Sequence, residues 1–166
     1  MCNTMGIMEW ERGNFSEALQ HYERALALLQ DQGETADAGL VLTSIGVTLH
    51  KLGRMDEATE RLSQAVQHNR TVGARQLEGF ALAALGDVQS DQGRLEDAIA
   101  SYSQSLDIRR DIGDLRGEGW MQHNLARTYA SVGTLDRKRD CATEAWRIAE
   151  ACDDEELIEA LRHLQD

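Results

Sequence analysis

The side chains best suited to chemistry in this sequence are its histidines, cysteines and carboxylates, and their spacing builds neither a metal site nor a catalytic one. His123 and His163 are 40 residues apart, a separation that recurs throughout the chain, so both would occupy one face of successive helices. Two imidazoles could share a metal ion, but no third ligand converges at that spacing, and a structural or catalytic zinc takes three or four protein ligands. The pair therefore reads as solvated or groove-lining polar residues. Cys2, Cys141 and Cys152 are odd in number and form no Cys-x-x-Cys pair, which argues against a disulfide framework and for a reducing cytoplasm. No nucleophile, base and orienter set, no phosphate loop and no His-Glu-x-x-His segment is present. No catalytic residue, metal or cofactor is expected, and the chain reads as a non-enzyme.

The elements that must position any binding residues are helices. The 166 residues contain no proline and only 5% aromatics, while Ala, Leu, Glu, Gln and Arg dominate, so summed propensity favours helix almost everywhere. With 42% hydrophobic residues there is enough apolar surface for a packed interior. The net charge of -12 and pI near 4.8 would repel a phosphate backbone or an anionic membrane, which excludes nucleic acid and membrane and leaves a protein partner. No apolar run reaches the roughly 20 residues a bilayer span requires, and the opening MCNTMGIMEWERG lacks the basic and apolar regions of a signal peptide. Lysine occurs only at Lys51 and Lys138, the rest of the 17 lysines and arginines being arginine, a bias that accompanies GC-rich bacterial genomes.

The chain repeats with a period of 40 residues. Gly13, Gly53, Gly93 and Gly133 keep the interval, as do Gly6, Gly46 and Gly86 with Ala126 in fourth place, Gly33, Gly73 and Gly113, and Gly39, Gly79 and Gly119. Ala18, Ala58 and Ala98 follow the same register. The first glycine set ends a helix in the left-handed conformation and marks the turn inside a hairpin. After each turn, apolar residues recur three and four apart, as in Leu95, Ala98, Ile99, Tyr102 and Leu106, with acids in the first turn facing the positive end of the helix dipole. This is helix B of each hairpin, and it ends near Gly33, Gly73 and Gly113, which start the next helix A. Glycines inside helix A, each costing about 1 kcal/mol against alanine, imply close approach of a neighbouring helix. The pattern predicts nine helices: A near 1–12, 34–52, 74–92, 114–132 and 154–165, B near 15–31, 55–72, 95–112 and 135–151. Stacked repeats would join their apolar faces into one solenoid domain over 1–166, with repeats 1–32, 33–72, 73–112 and 113–152 and a capping or truncated helix at 153–166.

The order Leu85-Gly86, Gly93, Leu95, Ala98, Tyr102, Ser105, matched by Ile45-Gly46, Gly53, Met55, Ala58, Leu62, Ala65, resembles the tetratricopeptide repeat. Its period is similar to the 40-residue variant of kinesin light chains, Pins-type adaptors and bacterial multidomain signalling regulators. The resemblance implies an all-α fold, a right-handed α-α superhelix of helical hairpins, acting as a scaffold that holds a peptide or protein segment in a concave groove lined by the A helices. The fourth repeat departs from the pattern at Lys138, Ala142 and Ala126, and Trp146 is placed to refill the volume lost at Ala142. Met1 aligns with Val41, Ala81 and Met121, so the first helix A reads as clipped and the chain as an adaptor or regulatory fragment of a larger protein.

Carried over position by position, the resemblance puts partner contacts at Leu40, His50 and Lys51 in the second repeat, Phe80, Asp87 and Asp91 in the third, and Trp120, His123, Asn124 and Arg127 in the fourth. Thr43, Ser44 and Val47, and in the first repeat Asn3, Thr4, Ile7, Trp10 and Glu11, occupy corresponding places. Leu40, Phe80 and Trp120 form an apolar ladder that is either a ligand strip or the seam between helices. Relatives use an asparagine in the place of Asn124 to grip a peptide backbone, for which an amide has both donor and acceptor. A segment of the same polypeptide would serve as partner equally well, and exposed terminal repeats would offer a route to a homo-oligomer; such structural self-association is the alternative function.

Overall fold

Turn glycines set the path of the backbone. Gly13, Gly53, Gly73, Gly93, Gly113 and Gly133 all have φ between +70° and +81°, the left-handed region that an L side chain enters only at a cost. At Gly53 the amide donates to the His50 carbonyl and the next amide, of Arg54, donates to Leu49, each at 2.9 Å, which is the Schellman ending of a helix. The same pair of bonds recurs at every one of these glycines and at Asp153, where an aspartate takes the left-handed position with φ +51°. Gly73 and Gly113 thus close the preceding helix B and do not open the next helix A.

The computed structural model describes residues 2–30 and 36–164. Gly33, one of the register glycines, lies outside the described residues. Between the turns run α1 (Cys2–Glu11), α2 (Phe15–Gln30), α3 (Ala36–Lys51), α4 (Met55–Thr71), α5 (Arg75–Asp91), α6 (Leu95–Asp111), α7 (Leu115–Ser131), α8 (Leu135–Ala151) and α9 (Glu155–Arg162). Among the described residues there are nine helices and no strand, and most bounds fall within a residue or two of the sequence expectation; α9 ends three residues early. Three-residue turns between helices force antiparallel neighbours.

Contacts divide the chain into two compact units, Met1–Val88 and Gln89–Asp166. In the first, α1 packs on α2, α2 on α3 and α3 on α4. Its core is built where small residues admit large ones. A Cβ on Gly6 would lie 2.5 Å from the Tyr22 ring, and one on Gly46 would lie 2.5 Å from Leu62 Cγ. Both distances are far inside carbon–carbon contact, so glycine is what lets helices A and B close on one another there. In the second unit α6 packs on α7 and α7 on α8, and α9 lies against both α7 and α8. Ala145, Ala149, Leu157 and Leu161 form a buried cluster there, with Trp120 and Trp146 packed against it.

Ion pairs brace the turns from B to the next A in repeat register. Arg70 Nε donates to Glu78 at 2.8 Å, and 40 residues on Arg110 Nε donates to Glu118 at 2.8 Å. At the last such turn Asp154 is buried and caps α9 by accepting from the Leu157 amide at 3.1 Å, while Arg116 Nε donates to it at 2.7 Å. The Arg116 guanidinium holds the Asp154 carboxyl below the usual carboxylate range.

Candidate partner-binding site

The A-helix positions expected to meet a partner can be followed in each unit separately. In the first unit, α1 and α3 leave a cleft of about 330 Å3 between them, lined by Ile7, Trp10, Glu11, Thr43, Ser44 and Val47 with Tyr22 of α2 at its base. Ile7 and Val47 supply apolar walls. Trp10 is held edge-on by Phe15, ring centroids 5.8 Å apart. Thr43 and Ser44 donate their hydroxyl hydrogens back to the carbonyls of Gly39 and Leu40, at 2.9 and 3.1 Å, so what they offer a ligand is acceptor lone pairs. Burial, with the Glu11 carboxylate as a lesser cause, pushes the Tyr22 phenol above its ordinary pKa, so it stays protonated as a donor.

Elsewhere on α3, Leu40 is exposed, and His50 and Lys51 sit in the last turn, where the Lys51 cation suits the negative end of the helix dipole. Phe80 is exposed and Asp87 half-buried on α5 within the first unit, while Asp91, at the end of α5, belongs to the second and is exposed. The ladder of Leu40, Phe80 and Trp120 is therefore not uniform, because the first two are open and Trp120 is half-buried against the α8–α9 cluster.

In the second unit α7 brings Trp120, His123 and Asn124 together. The Trp120 and His123 rings meet edge-on at 5.6 Å, and His123 Nδ1 lies 3.1 Å from Asn124 Oδ1. His123 is buried, and burial, reinforced by the positive charge of Arg127, pushes its pKa down against the smaller opposing effects of Asn124 and the Ala160 backbone. Burial thus favours its uncharged imidazole, whose Nδ1 meets the Asn124 amide. Arg127 is exposed one turn on. No group of three or more histidine, cysteine or carboxylate side chains that could hold a metal occurs among the described residues.

Sequence reasoning missed Tyr22 as the base of the α1–α3 cleft, because it belongs to helix B. It also missed the Arg116–Asp154 lock. A signal for the latter existed in Asp114, one period before Asp154, whose side chain caps α7 by accepting from the Gly117 amide at 2.9 Å.

Helical hairpins at a fixed period, with an apolar-and-polar cleft between two of their A helices, define a helical-repeat protein that makes protein–protein contacts. The sequence profile of the tetratricopeptide repeat matches residues 2–71 and again 37–111, and the chain belongs to that family, a class of protein–protein interaction modules. The matched segments end before the fourth repeat. No curated protein matches the chain. Among solved structures it is similar to BtubC (BKLC) from P. vanneervenii, with 18% identity and a TM-score of 0.84, covering 98% of this chain and 70% of that one. It is also similar to aspartyl phosphate phosphatase F from Bacillus subtilis, with 13% identity and a TM-score of 0.93, covering 99% of this chain and 43% of that one. At these identities the likeness is one of fold. No helix among the described residues is long and apolar enough to cross a membrane.

Proposed function

We infer that the chain holds an extended or helical segment of a partner protein against the exposed faces of its A helices, as an adaptor or regulatory part of a larger polypeptide, and catalyses no reaction. The observation that carries this is the α1–α3 cleft, where an apolar floor and walls are combined with the Glu11 carboxylate and two hydroxyl acceptors. Such a mixture fixes a peptide's register through a few polar groups while apolar contact supplies affinity. In the second unit, Asn124 and Arg127 offer an amide and a cation on α7, and the net charge of -12 favours a basic or mixed-charge segment over nucleic acid.

The test is selection of random peptides displayed on phage against the whole chain, followed by calorimetry of the selected peptides on variants. Val47→Arg should block the cleft and weaken binding at least ~tenfold, about 1.4 kcal/mol, whereas Gln104→Ala, exposed on α6, should leave it unchanged. Peptides that bind Val47→Arg as well as the parent would refute the cleft as the site.

One observation favours self-association as a second reading. Met5 on α1 is 45% exposed, whereas its register mates Ile45 and Leu125 are 1% and 3% exposed. Exposed apolar faces of this kind associate. Light scattering over a dilution series distinguishes the two, because assembly falls with concentration and a peptide-binding monomer does not.

A further inference from the structure

The fourth repeat breaks the register at the residues that fill the space between helices A and B. In the first three repeats one slot of helix B is alanine, at positions 18, 58 and 98, and the slot one turn later is Tyr22, Leu62 or Tyr102, all buried. In α8 the first slot is Lys138 and the second is Ala142, both half-buried. The residue facing the second slot changes with it. Gly6 and Gly46 leave room for Tyr22 and Leu62, whereas α7 has Ala126 at that place. Ala126 is fully buried, and neither it nor Ala142 supplies a side chain as large as Tyr22 or Leu62. Trp146, one turn on, packs on the α8–α9 cluster and donates its indole N–H to Glu150 at 2.9 Å.

A cleft of about 640 Å3 lies along α8, lined by Ala142 and Trp146 and by Leu161 and Leu164 at the end of α9. Lys138 stands at its edge in the first turn of α8, where the helix dipole disfavours a cation. Arg139 and Arg147, which also line the cleft, are paired with Asp136 and Glu144. No ion pair engages Lys138 among the described residues. From Lys138 to Glu150 the open face runs about 18 Å, or three helical turns. The corresponding face of α6 carries Ala98, Tyr102 and Leu106, all buried, and α6 packs on α7, so the shape is one that a helix covers.

We propose that this α8–α9 cleft is a second docking site, distinct from the A-helix faces, and that its occupant is an amphipathic helix of a partner protein carrying a large apolar side chain and, one turn away, a carboxylate. The apolar side chain fills the hollow over Ala142 that the other repeats fill for themselves. The carboxylate pairs with Lys138 and offsets its unfavourable place at the helix N-terminus. Trp146 provides the aromatic anchor that commonly dominates such contacts.

The test uses the whole chain and three fluorescein-labelled helical host peptides of equal length: one with Phe and Glu one turn apart, one with Lys in place of that Glu, and one with Ala in place of Phe. Anisotropy titrations should show saturable binding of the Phe–Glu peptide, at least ~tenfold weaker binding of each of the other two, and loss of the charge preference at high salt. In Lys138→Glu, whose helicity is checked by circular dichroism, the preference should invert, so that the Lys peptide binds tighter than the Glu peptide. Ala142→Leu should abolish binding of both, and Val47→Arg should leave it unchanged. Equal affinity for the two charge forms, an unchanged preference in Lys138→Glu, or no saturable binding would overturn the proposal. So would light scattering showing that the chain alone assembles and that Lys138→Glu dissolves the assembly, since the occupant would then be a second copy of this chain.

Discussion

The close contact between Gly46 and Leu62 makes a quantitative prediction about how the repeat core is written. Gly46→Ala would place a Cβ 2.5 Å from Leu62 Cγ and 2.7 Å from Cδ2, where carbon pairs rest at about 3.5 to 4.0 Å, so the leucine must retreat by about 1 Å or more. Overpacking of this kind costs about 1 to 3 kcal/mol, partly offset by the roughly 1 kcal/mol that alanine gains over glycine inside a helix. Leu62→Ala alone removes a fully buried side chain and should cost about 2 to 5 kcal/mol. In the double variant the new methyl no longer meets the leucine and fills part of its void. The combined cost should therefore fall short of the sum of the single costs by about 1 to 3 kcal/mol. The same combination, Ala126 with Ala142, already occurs in the fourth repeat. Urea denaturation followed by far-ultraviolet circular dichroism on the parent, the two single variants and the double variant measures the coupling. If the cycle closes to within about 0.5 kcal/mol, the two residues do not share one space, and the explanation of the fourth repeat's divergence fails with it.

Other expectations follow from the turns and from α9. Asp153→Gly restores the residue type found at every other left-handed turn position described, and should stabilise the chain by about 0.5 to 1 kcal/mol in thermal melts. His123 has a folded-state pKa below its unfolded value, so the stability it contributes is present above the unfolded pKa of about 6.5 and is lost as pH falls through the folded value; the drop in melting temperature between pH 7 and 5 should be smaller in His123→Gln. Asp154 is likewise depressed, so its contribution holds above about pH 4 and is lost in stronger acid, and Asp154→Ala, which removes the α9 cap, should cost about 1 to 2 kcal/mol and red-shift Trp120 emission as α9 loosens. Asn124→Ala and Arg127→Ala should each weaken peptides selected on the α7 face by about 1 to 3 kcal/mol in calorimetry; if Asn124→Ala lowers only the melting temperature, its amide serves His123 and not a ligand.

The helices were legible because glycine and alanine repeat with one period, and each glycine answers to a steric demand that sequence spacing reveals: left-handed φ at Gly53 and Gly93, helix approach at Gly46. The role of Gly73 and Gly113 was misread by a residue or two, since a Schellman glycine and the residue that opens the next helix are almost adjacent and only the hydrogen bonds separate them. Candidate site residues were less legible. Spacing places Leu40, Phe80 and Trp120 on one stripe but does not say which neighbour covers them, and α9 lies over α7 in the second unit only. Tyr22 escaped because a register that assigns it to the core does not exclude its edge from a cleft.

That difference bears on where function is written in a repeat protein. Within a register, a residue that agrees with its mates is explained by packing, and its identity says little about a partner. Tyr22 and Leu62 differ in shape, yet each is buried against a glycine, Gly6 or Gly46, so their exchange changes no surface. Lys138 and Ala142 are different in kind. They put a cation where three repeats have a buried methyl and a methyl where three repeats have a large side chain, and α9, brought close by the Asp154 lock, walls the hollow without filling it. A small residue where the other repeats carry a large buried one forgoes stability of the order of a large-to-small substitution. A loss that the fold does not recover internally can be offset by a helix bound from outside, which is why the α8 face, where the register fails, is the place on this chain to look for a partner of a second kind.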